Sequence, residues 1–201
     1  MSSDIGVPTT RDRILAAARA LLEDRGFDVG MGEIARKAGI SRQAVYLHFE
    51  SKADLLRQLT TWVEEQADLG TLLAPVFDAP DGEAALKALL HAGAVFEPQI
   101  HALAQATELV RDRDDDVRVI TADRMARRLT GMKAVVARIE AEGRLKPGWD
   151  VDTAAAFVWM TTSPPSYHAM VVELGWTVET WAEATFRLLR DAFINPRRTP
   201  E

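Results

Sequence analysis

Helix-forming residues dominate almost the whole chain, and runs in which apolar and polar residues strictly alternate are nearly absent. Ala, Leu, Glu and Arg are common, and apolar positions recur three and four residues apart, which is the period of a helix and not of a strand. Gly and Pro divide the chain into segments of helical length. We therefore predict an all-α fold.

The first predicted helix covers residues 10–25. Its apolar residues, beginning with Ile14, fall on one face at helical spacing. Thr9 followed by Asp12 is typical of a helix start, and Gly26 is typical of a helix end.

A helix-turn-helix is predicted directly after this helix. Residues 32–38 form a short helix that ends at Gly39, and Ser41 is placed to cap a third helical segment over residues 42–49. A fourth helix follows from Ser51 to about residue 69. Helix, short glycine-containing turn and helix together are the pattern of a helix-turn-helix.

The remainder of the chain is predicted to be an antiparallel helical bundle. Glycines and prolines divide it into helices near residues 82–96, 98–111, 115–142, 152–162, 164–174 and 177–194. In the longest of these, apolar residues repeat at steps of three and four, which is typical of a central bundle helix.

Composition limits the function classes. The chain has no cysteine, so disulfides, thiolate metal sites and cysteine nucleophiles are excluded. It has neither a membrane-spanning apolar run nor a signal peptide, which predicts a cytoplasmic protein without membrane contact. The net charge is −6, but residues 1–57 hold nine Arg and Lys against eight Asp and Glu. The acidic excess therefore lies entirely in the rest of the chain, which is consistent with two parts of different purpose.

Several segments together resemble the TetR family of bacterial transcriptional regulators. They read RDRILAAARALLEDRGF for the first helix, GEIARKAGISRQAVYLHF for the helix-turn-helix and SKADLL at the start of the fourth helix. The terminal stretch TTSPPSYHAMVVELGWTVETWAEATFRLL is similar to the end of one actinobacterial-looking subgroup.

This resemblance implies both the domain organisation and the function. It implies a TetR-type DNA-binding domain over residues 7–67, with the helix-turn-helix at about 30–49, and a ligand-binding and dimerisation domain over residues 68–201. The expected function is that of a homodimeric repressor without cofactor or enzymatic activity. It would bind a palindromic operator on double-stranded DNA and be released by a small molecule. The Met and aromatic residues of the bundle, rather than the resemblance, predict that this effector is largely apolar.

Arg42 and Gln43 are the predicted base-reading residues. They stand at the start of the third helical segment, the end of a recognition helix that enters the major groove. Arg can bond two acceptors of guanine and Gln can pair with adenine. The alternative is that both side chains are ordinary solvated surface residues.

A second group of polar side chains is predicted to contact phosphates. Its members are Ser41, Tyr46, His48, Lys52, Arg11 and Arg36. Lys52 begins a helix, where backbone N–H groups also favour an anion. The alternatives are a core aromatic for Tyr46, a capping or core histidine for His48, and a solvated helix face for the two arginines.

One departure from the family pattern lies at Gly30 and Gly32, where family members often carry a Thr that caps the second helix and touches phosphate. Glycine caps a helix at a small cost, but it has no hydroxyl group. A phosphate contact here would therefore have to come from a backbone N–H group.

The bundle is expected to contain an effector pocket and a dimer interface. The pocket candidates are Phe96, His101, Gln105, Met125, Met132, Trp159 and Tyr167, each with core packing as its alternative. The interface candidates are Phe157, Met160, Trp181, Leu188 and Leu189, because the last two helical regions are apolar around much of their circumference. Their alternative is an intrachain core.

Other patterns give weaker hypotheses. The acidic stretch at residues 111–116 lacks the ligand spacing of a calcium loop, so no metal site is predicted. Ser163 and His168 lack the surroundings of a hydrolase nucleophile, and Ser163 followed by Pro164 is typical of a helix start. A sequence-indifferent architectural DNA-binding protein and a helical-bundle enzyme or carrier remain the alternative functions.

Overall fold

The computed structural model describes residues 8–108, 111–112 and 114–196, except for the side chain of Phe27. The described residues form helices and contain no β-strand, so the all-α prediction is confirmed. They fall into two compact units. The first holds the residues up to Gln66 together with Ala102–Thr121, and the second holds Ala67–His101 and the residues from Ala122 onward. The functional boundary between residues 67 and 68 stays a prediction.

The helices alternate with short turns along the chain. They are α1 Thr10–Arg25, α2 Met31–Ala38, α3 Arg42–Tyr46, α4 Lys52–Gln66, α5 Leu69–Phe77, α6 Gly82–Glu108, α7 Asp115–Ala141, α8 Val151–Thr161, α9 Pro164–Tyr167 and α10 Val178–Phe193. A 3₁₀ turn, Gly26–Asp28, follows α1, and a π-helical segment, His168–Glu173, continues α9.

The first unit is built on the predicted apolar faces of α1 to α4. Its fully buried side chains include Ile14, Leu15, Val45, Phe49, Leu55 and Leu59. The start of α1 carries the predicted capping box, in which the Thr9 hydroxyl oxygen accepts from the Asp12 backbone N–H (3.1 Å) and Asp12 Oδ2 accepts from the Thr9 N–H (3.1 Å). Asp12 Oδ1 also accepts from Trp62 Nε1 at 3.2 Å, which ties α1 to α4.

The second unit has its own core, in which α6, α7, α8 and α10 meet. The core residues include Leu86, Leu90, Met132, Val136, Ile139, Ala154, Val158, Leu189 and Phe193. Met132, Val136 and Ile139 belong to the apolar repeat predicted for α7. At Gly82, where α6 begins, a Cβ atom would lie 2.8 Å from the Ile139 backbone nitrogen. This packing distance requires glycine.

The predicted helix break between residues 96 and 98 is wrong. Residues 82–108 form one helix that contains Pro98. A helix that the sequence did not predict, α5, contains Pro75. Proline removes one N–H donor and bends a helix, but it does not end a helix whose flanking turns are packed. Phe96 and Ile100, on either side of Pro98, are both buried.

The helix predicted over residues 164–174 changes its backbone pattern at His168. The first turn is α-helical and the following residues are π-helical. Within the part of the chain that the structure describes, no helix is both long and apolar enough to cross a bilayer.

Candidate functional site

The turn between α2 and α3 is fixed by local hydrogen bonds. Gly39 has the left-handed conformation (φ +70°, ψ +36°) that ends α2, and the Ile40 N–H donates to the Ala35 carbonyl at 3.0 Å. Arg13 Nη2 donates to the Ala38 carbonyl at 2.7 Å. The turn is therefore anchored to α1 and sets the direction in which α3 leaves it.

Ser41 caps α3, since its hydroxyl oxygen accepts from the Ala44 N–H at 3.1 Å. Val45 within this helix and Phe49 just beyond its end are both completely buried, so they anchor the helix in the core of the first unit. The opposite face is exposed and carries most of the residues predicted to contact DNA. These are Ser41, Arg42, Gln43, Tyr46 and His48.

Arg42 and Tyr46 form a pair on this exposed face. The guanidinium carbon of Arg42 lies 5.6 Å from the centroid of the Tyr46 ring, and Arg42 Nη2 lies 3.4 Å from the Tyr46 hydroxyl oxygen. A cation over an aromatic face is stabilised by the ring quadrupole. Tyr46 is therefore not the core aromatic that the alternative interpretation required, and it supports the position of Arg42.

Leu47 was missed by the sequence interpretation. Its side chain is 82% exposed and lies between Tyr46 and His48 at the end of α3. An apolar side chain on a DNA-reading surface can contact the C5-methyl group of thymine. The signal available in the sequence was its place opposite the buried Val45 and Phe49.

Lys52 lies at the start of α4, where Ser51 accepts from the Asp54 N–H at 3.0 Å. Lys52 is half-buried, and this burial lowers the pKa of its ammonium group, while the charges of Asp28 and Asp114 act in the opposite direction. The ammonium group thus lies near two carboxylates of its own unit.

The remaining predicted phosphate contacts differ in their surroundings. Arg11 is half-buried and its Nε donates to Gln58 Oε1 at 3.0 Å, so it bridges α1 and α4. Arg36 is exposed on α2. The geometry therefore favours a structural role for Arg11 and leaves Arg36 accessible.

The glycines that flank Met31 have a compensating partner. The Gly30 N–H donates to Glu33 Oε2 at 3.0 Å, and Glu33 Oε1 lies 2.7 Å from Arg25 Nη1. These contacts, the Gly30 N–H first and Arg25 second, lower the pKa of Glu33. The start of α2 is thus stabilised by a carboxylate rather than by a hydroxyl group.

The pocket candidates are spread over both units. Phe96, Met132 and Tyr167 are buried in the second unit, where His101, Met125 and Trp159 are half-buried; Gln105 is half-buried in the first unit. His101 and Tyr167 are neighbours, with ring centroids 5.0 Å apart.

These two residues belong to a polar cluster that also contains two charged side chains the sequence did not single out. We define it as Glu97, His101, Arg128, Tyr167 and His168. Glu97 is 2% exposed, and its Oε1 lies 3.2 Å from Arg128 Nη2, which also donates to the Thr162 carbonyl at 2.6 Å. His168 Nδ1 lies 3.2 Å from His101 Nε2, and the two rings are stacked.

Burial is the largest cause of the pKa shifts of Glu97, His101 and Tyr167. It raises the pKa of Glu97, against the opposing charges of Arg128 and Arg124, and it lowers the pKa of His101. It also raises the pKa of Tyr167, with the Glu97 charge adding in the same direction. Each of these three groups therefore favours its uncharged form more than it would in water.

The dimer-interface candidates separate into two sets. Phe157, Met160 and Leu188 are exposed, whereas Trp181 and Leu189 are each only 2% exposed. For Trp181 and Leu189 this burial within their own unit favours the alternative of an intrachain core, because the helical period of α10 turns both side chains inward.

Ser163 and His168 do not form a hydrolytic pair. The Ser163 hydroxyl group donates to the Met160 carbonyl at 2.8 Å and its oxygen accepts from the Ser166 N–H at 3.4 Å, while His168 contacts His101. In the acidic stretch, Asp114 Oδ1 accepts from the N–H groups that begin α7, and Arg113 lies outside the described residues. The described residues include no cluster of three metal-binding side chains.

Comparison with known proteins identifies the helix-turn-helix region. Residues 14–59 match the family described as bacterial regulatory proteins, tetR family. The HTH-type transcriptional regulator AcrR of Shigella flexneri is 38% identical over 64 residues, which cover 31% of this chain and 29% of that protein. The matched segment thus spans less than a third of that relative's length.

Two further comparisons extend beyond this region. The HTH-type transcriptional repressor BepR of Brucella suis is 29% identical over 157 residues, or 73% of each chain. The crystal structure of the transcriptional regulator FadR from Bacillus subtilis, in complex with stearoyl-CoA, has a TM-score of 0.73 at 19% identity and covers 88% of this chain and 96% of that one. At that identity the likeness concerns the fold alone.

Proposed function

We propose that this chain, which carries a TetR-family helix-turn-helix domain and has the fold of that family's regulators, is a ligand-responsive repressor that binds duplex DNA through α3. The observation that carries the proposal is the exposed start of α3. Ser41 caps this helix while Val45 and Phe49 anchor it, so that Arg42 and Gln43 project from a rigid support. Preorganised donors of this kind suit base recognition in the major groove.

Arg42 and Gln43 are assigned to base edges, with the Tyr46 ring holding the Arg42 guanidinium. Ser41, His48, Lys52 and Arg36 are assigned to phosphates. Arg11 is a weaker candidate because it already bonds Gln58. Most contacts in such an interface are made to phosphates, and they fix the position of the protein along the duplex. A few base contacts then provide the sequence specificity.

The proposed active form is a homodimer on a palindromic operator. Phe157, Met160 and Leu188 expose apolar surface on α8 and α10, which supports pairing of these helices with those of a second copy. Two copies of α3 held about 34 Å apart would read successive major grooves of one DNA face.

The proposed effector binds in the second unit and favours a conformation with the wrong half-site spacing. A coupling of about 1–3 kcal/mol between effector and DNA is enough to change operator affinity 5- to 150-fold. The FadR structure from Bacillus subtilis holds stearoyl-CoA, which supports small-molecule binding by this fold. The regulator would act in the cytoplasm and has no enzymatic role, in keeping with its family.

The test is selection of bound duplexes from a random library, followed by footprinting of the full-length protein. We expect one enriched palindrome and a footprint of two protected half-sites. Enrichment of no sequence, with protection spread along all DNA, would support the architectural alternative instead. That alternative has little electrostatic support, since the first 57 residues carry a surplus of only one positive charge.

A further inference from the structure

Across the described ranges of the chain, the polar cluster in the second unit contains most of the buried side-chain polar atoms that lack a hydrogen-bond partner. Among the described residues, four buried side-chain nitrogen or oxygen atoms lack a hydrogen-bond partner. Three of them belong to this cluster, namely Glu97 Oε2, Arg128 Nη1 and His101 Nδ1. Buried polar groups are almost always paired in native proteins, so three such atoms in one place require a physical reason.

The backbone is irregular on two sides of the same cluster. Pro98 follows Glu97 directly and removes the N–H group that would bond the Ala94 carbonyl, which weakens α6 at this turn. The π-helical segment begins at His168, whose ring stacks on His101. This segment continues α9 to the end of the helix, and π-helical backbone is rare in proteins. Both irregular turns therefore border the three unsatisfied atoms.

The three atoms restrict the chemistry of a partner. Arg128 Nη1 needs an acceptor, and the second oxygen of Glu97 is completed by a donor. A carboxylate ligand would satisfy Arg128 but would lie against the Glu97 carboxylate, and an ammonium ligand would satisfy Glu97 but would lie against Arg128. A group that both donates and accepts without charge avoids either repulsion. The smallest such group is a hydroxyl.

We propose that this cluster binds the hydroxyl group of an uncharged, otherwise apolar effector. The hydroxyl donates to Glu97 Oε2 and accepts from Arg128 Nη1, with His101 Nδ1 as a third partner. In this assignment Glu97 is the carboxylate that pairs with Arg128, whose Nη2 lies 3.2 Å from Glu97 Oε1. The inference rests on the proposed function in one respect, namely that the second unit is the effector-binding unit.

Buried aromatic side chains adjoin the cluster, and Arg128 connects the cluster to the end of α8. Tyr167 packs edge-on against the buried Trp181, with ring centroids 5.3 Å apart, so aromatic surface continues from the cluster. Arg128 also holds the carbonyl of Thr162, directly after α8. A hydroxyl that draws Arg128 toward itself therefore acts on the end of α8, the helix that exposes Phe157 and Met160 to the proposed second copy.

The first test compares compounds that share an octyl-sized body and differ in the polar group. Octan-1-ol, octanoate, octylammonium and heptyl methyl ether are each titrated into the full-length wild-type protein by calorimetry and by thermal shift. We expect octan-1-ol to bind about tenfold more tightly than the others, since a hydrogen bond to a charged group that is lost or replaced by repulsion has about this effect. The ether is the control for donation, because it accepts but cannot donate. A parallel pair, 4-butylphenol and 4-butylbenzoate, repeats the comparison of hydroxyl with carboxylate on an aromatic body.

The second test uses matched variants. Glu97→Gln keeps the shape of the side chain and should weaken octan-1-ol binding about tenfold and remove most of its advantage over the ether. Glu183→Gln removes an exposed carboxylate of the same unit, one that contacts Lys87 and His91, and should bind like wild type. If Glu97→Gln does not fold, the ranking of the polar groups with wild-type protein decides alone.

The outcomes separate this inference from the proposed function. Equal binding of octanoate, octylammonium or the ether, or no binding of octan-1-ol and 4-butylphenol, would overturn the hydroxyl site even if operator binding is found. The predicted ranking without any sequence-selective DNA binding would instead overturn the regulator and leave the site intact. Where both hold, octan-1-ol or 4-butylphenol should release operator DNA from wild type at the concentration at which it binds, and Glu97→Gln should need about ten times more.

Discussion

Arg42 and Tyr46 lie four residues apart on the exposed face of α3, and the guanidinium group of one rests over the ring of the other, 5.6 Å from its centroid. Residues at this spacing are neighbours on a helix surface. The contact restrains a long side chain before DNA is present, so less rotamer entropy is lost when Arg42 meets a base. Base recognition by this chain should therefore depend on both residues.

Arg42→Ala should weaken operator binding by about 1–3 kcal/mol and relax the preference at one base pair, because a bidentate contact to guanine is lost. Lys52→Ala should weaken operator and random duplex equally and reduce the salt slope by about one. Fluorescence anisotropy with both duplexes at several salt concentrations measures this. Arg57→Ala removes an exposed positive charge outside α3 and is the matched control. An Arg42 variant with full operator preference would contradict the base contact.

Gly82→Ala should destabilise the protein by about 1–3 kcal/mol, because the new methyl group would overlap the backbone of Ile139. Gly93→Ala is the control within the same helix, since nothing lies within 4 Å of its added Cβ. It should stabilise by about 0.5–1 kcal/mol through higher helix propensity. Urea unfolding of both variants distinguishes steric overlap from propensity, and a stable Gly82→Ala protein would show that α6 and α7 pack less closely.

Some elements were predictable because their cause is local. The Gly39–Ile40–Ser41 stretch contains both the end of α2 and the cap of α3, so the position of the turn in the sequence is predictable, whereas the contact of Arg13 that anchors it to α1 is not local. Pro98 was misread because packing on either side of it decides whether a helix continues, and packing depends on residues far away in sequence.

The burial of particular side chains was the least predictable feature. Glu and Arg usually lie on protein surfaces, and only the three-dimensional structure shows that Glu97 and Arg128 meet inside the second unit. Leu188 and Leu189 are chemically identical neighbours, yet one is 61% exposed and the other 2%. The rotation of α10 about its own axis decides which of the two faces the core, and this rotation is set by packing against other helices of the unit.

Two glutamates should change the free energy of unfolding in opposite directions as pH rises. The folded pKa of Glu97 is raised from its ordinary value of 4.5, so its contribution is fully present below that value and is lost as pH rises through the folded pKa. The folded pKa of Glu33 is lowered, so its contribution is present above 4.5 and is lost as pH falls. Unfolding free energies measured across this range for Glu97→Gln and Glu33→Gln should each lack the corresponding slope. A slope unchanged in Glu97→Gln would contradict the raised pKa.

Leu188→Glu should convert the proposed dimer into a monomer, because it places a charge in an apolar contact between two copies of α10. Val119→Glu is the matched control, since Val119 is 63% exposed and Leu188 is 61% exposed, and Val119 lies in the first unit. Sedimentation velocity at several protein concentrations measures the effect. A dimer that survives Leu188→Glu would place the contact elsewhere on the protein.

Leu47→Ala should leave the free energy of unfolding within about 0.5 kcal/mol of wild type, because an exposed side chain away from special contacts contributes little. If Leu47 contacts a thymine methyl group in the operator, the variant should bind less tightly and should no longer distinguish thymine from uracil at one position of each half-site. Replacing single thymines of the operator by uracil removes only that methyl group, so a scan with wild type locates the position and the same scan with Leu47→Ala tests the contact. A wild-type protein that binds every uracil-substituted operator as tightly as the parent would contradict a methyl contact, and Leu47 would then be an ordinary exposed residue at the end of α3.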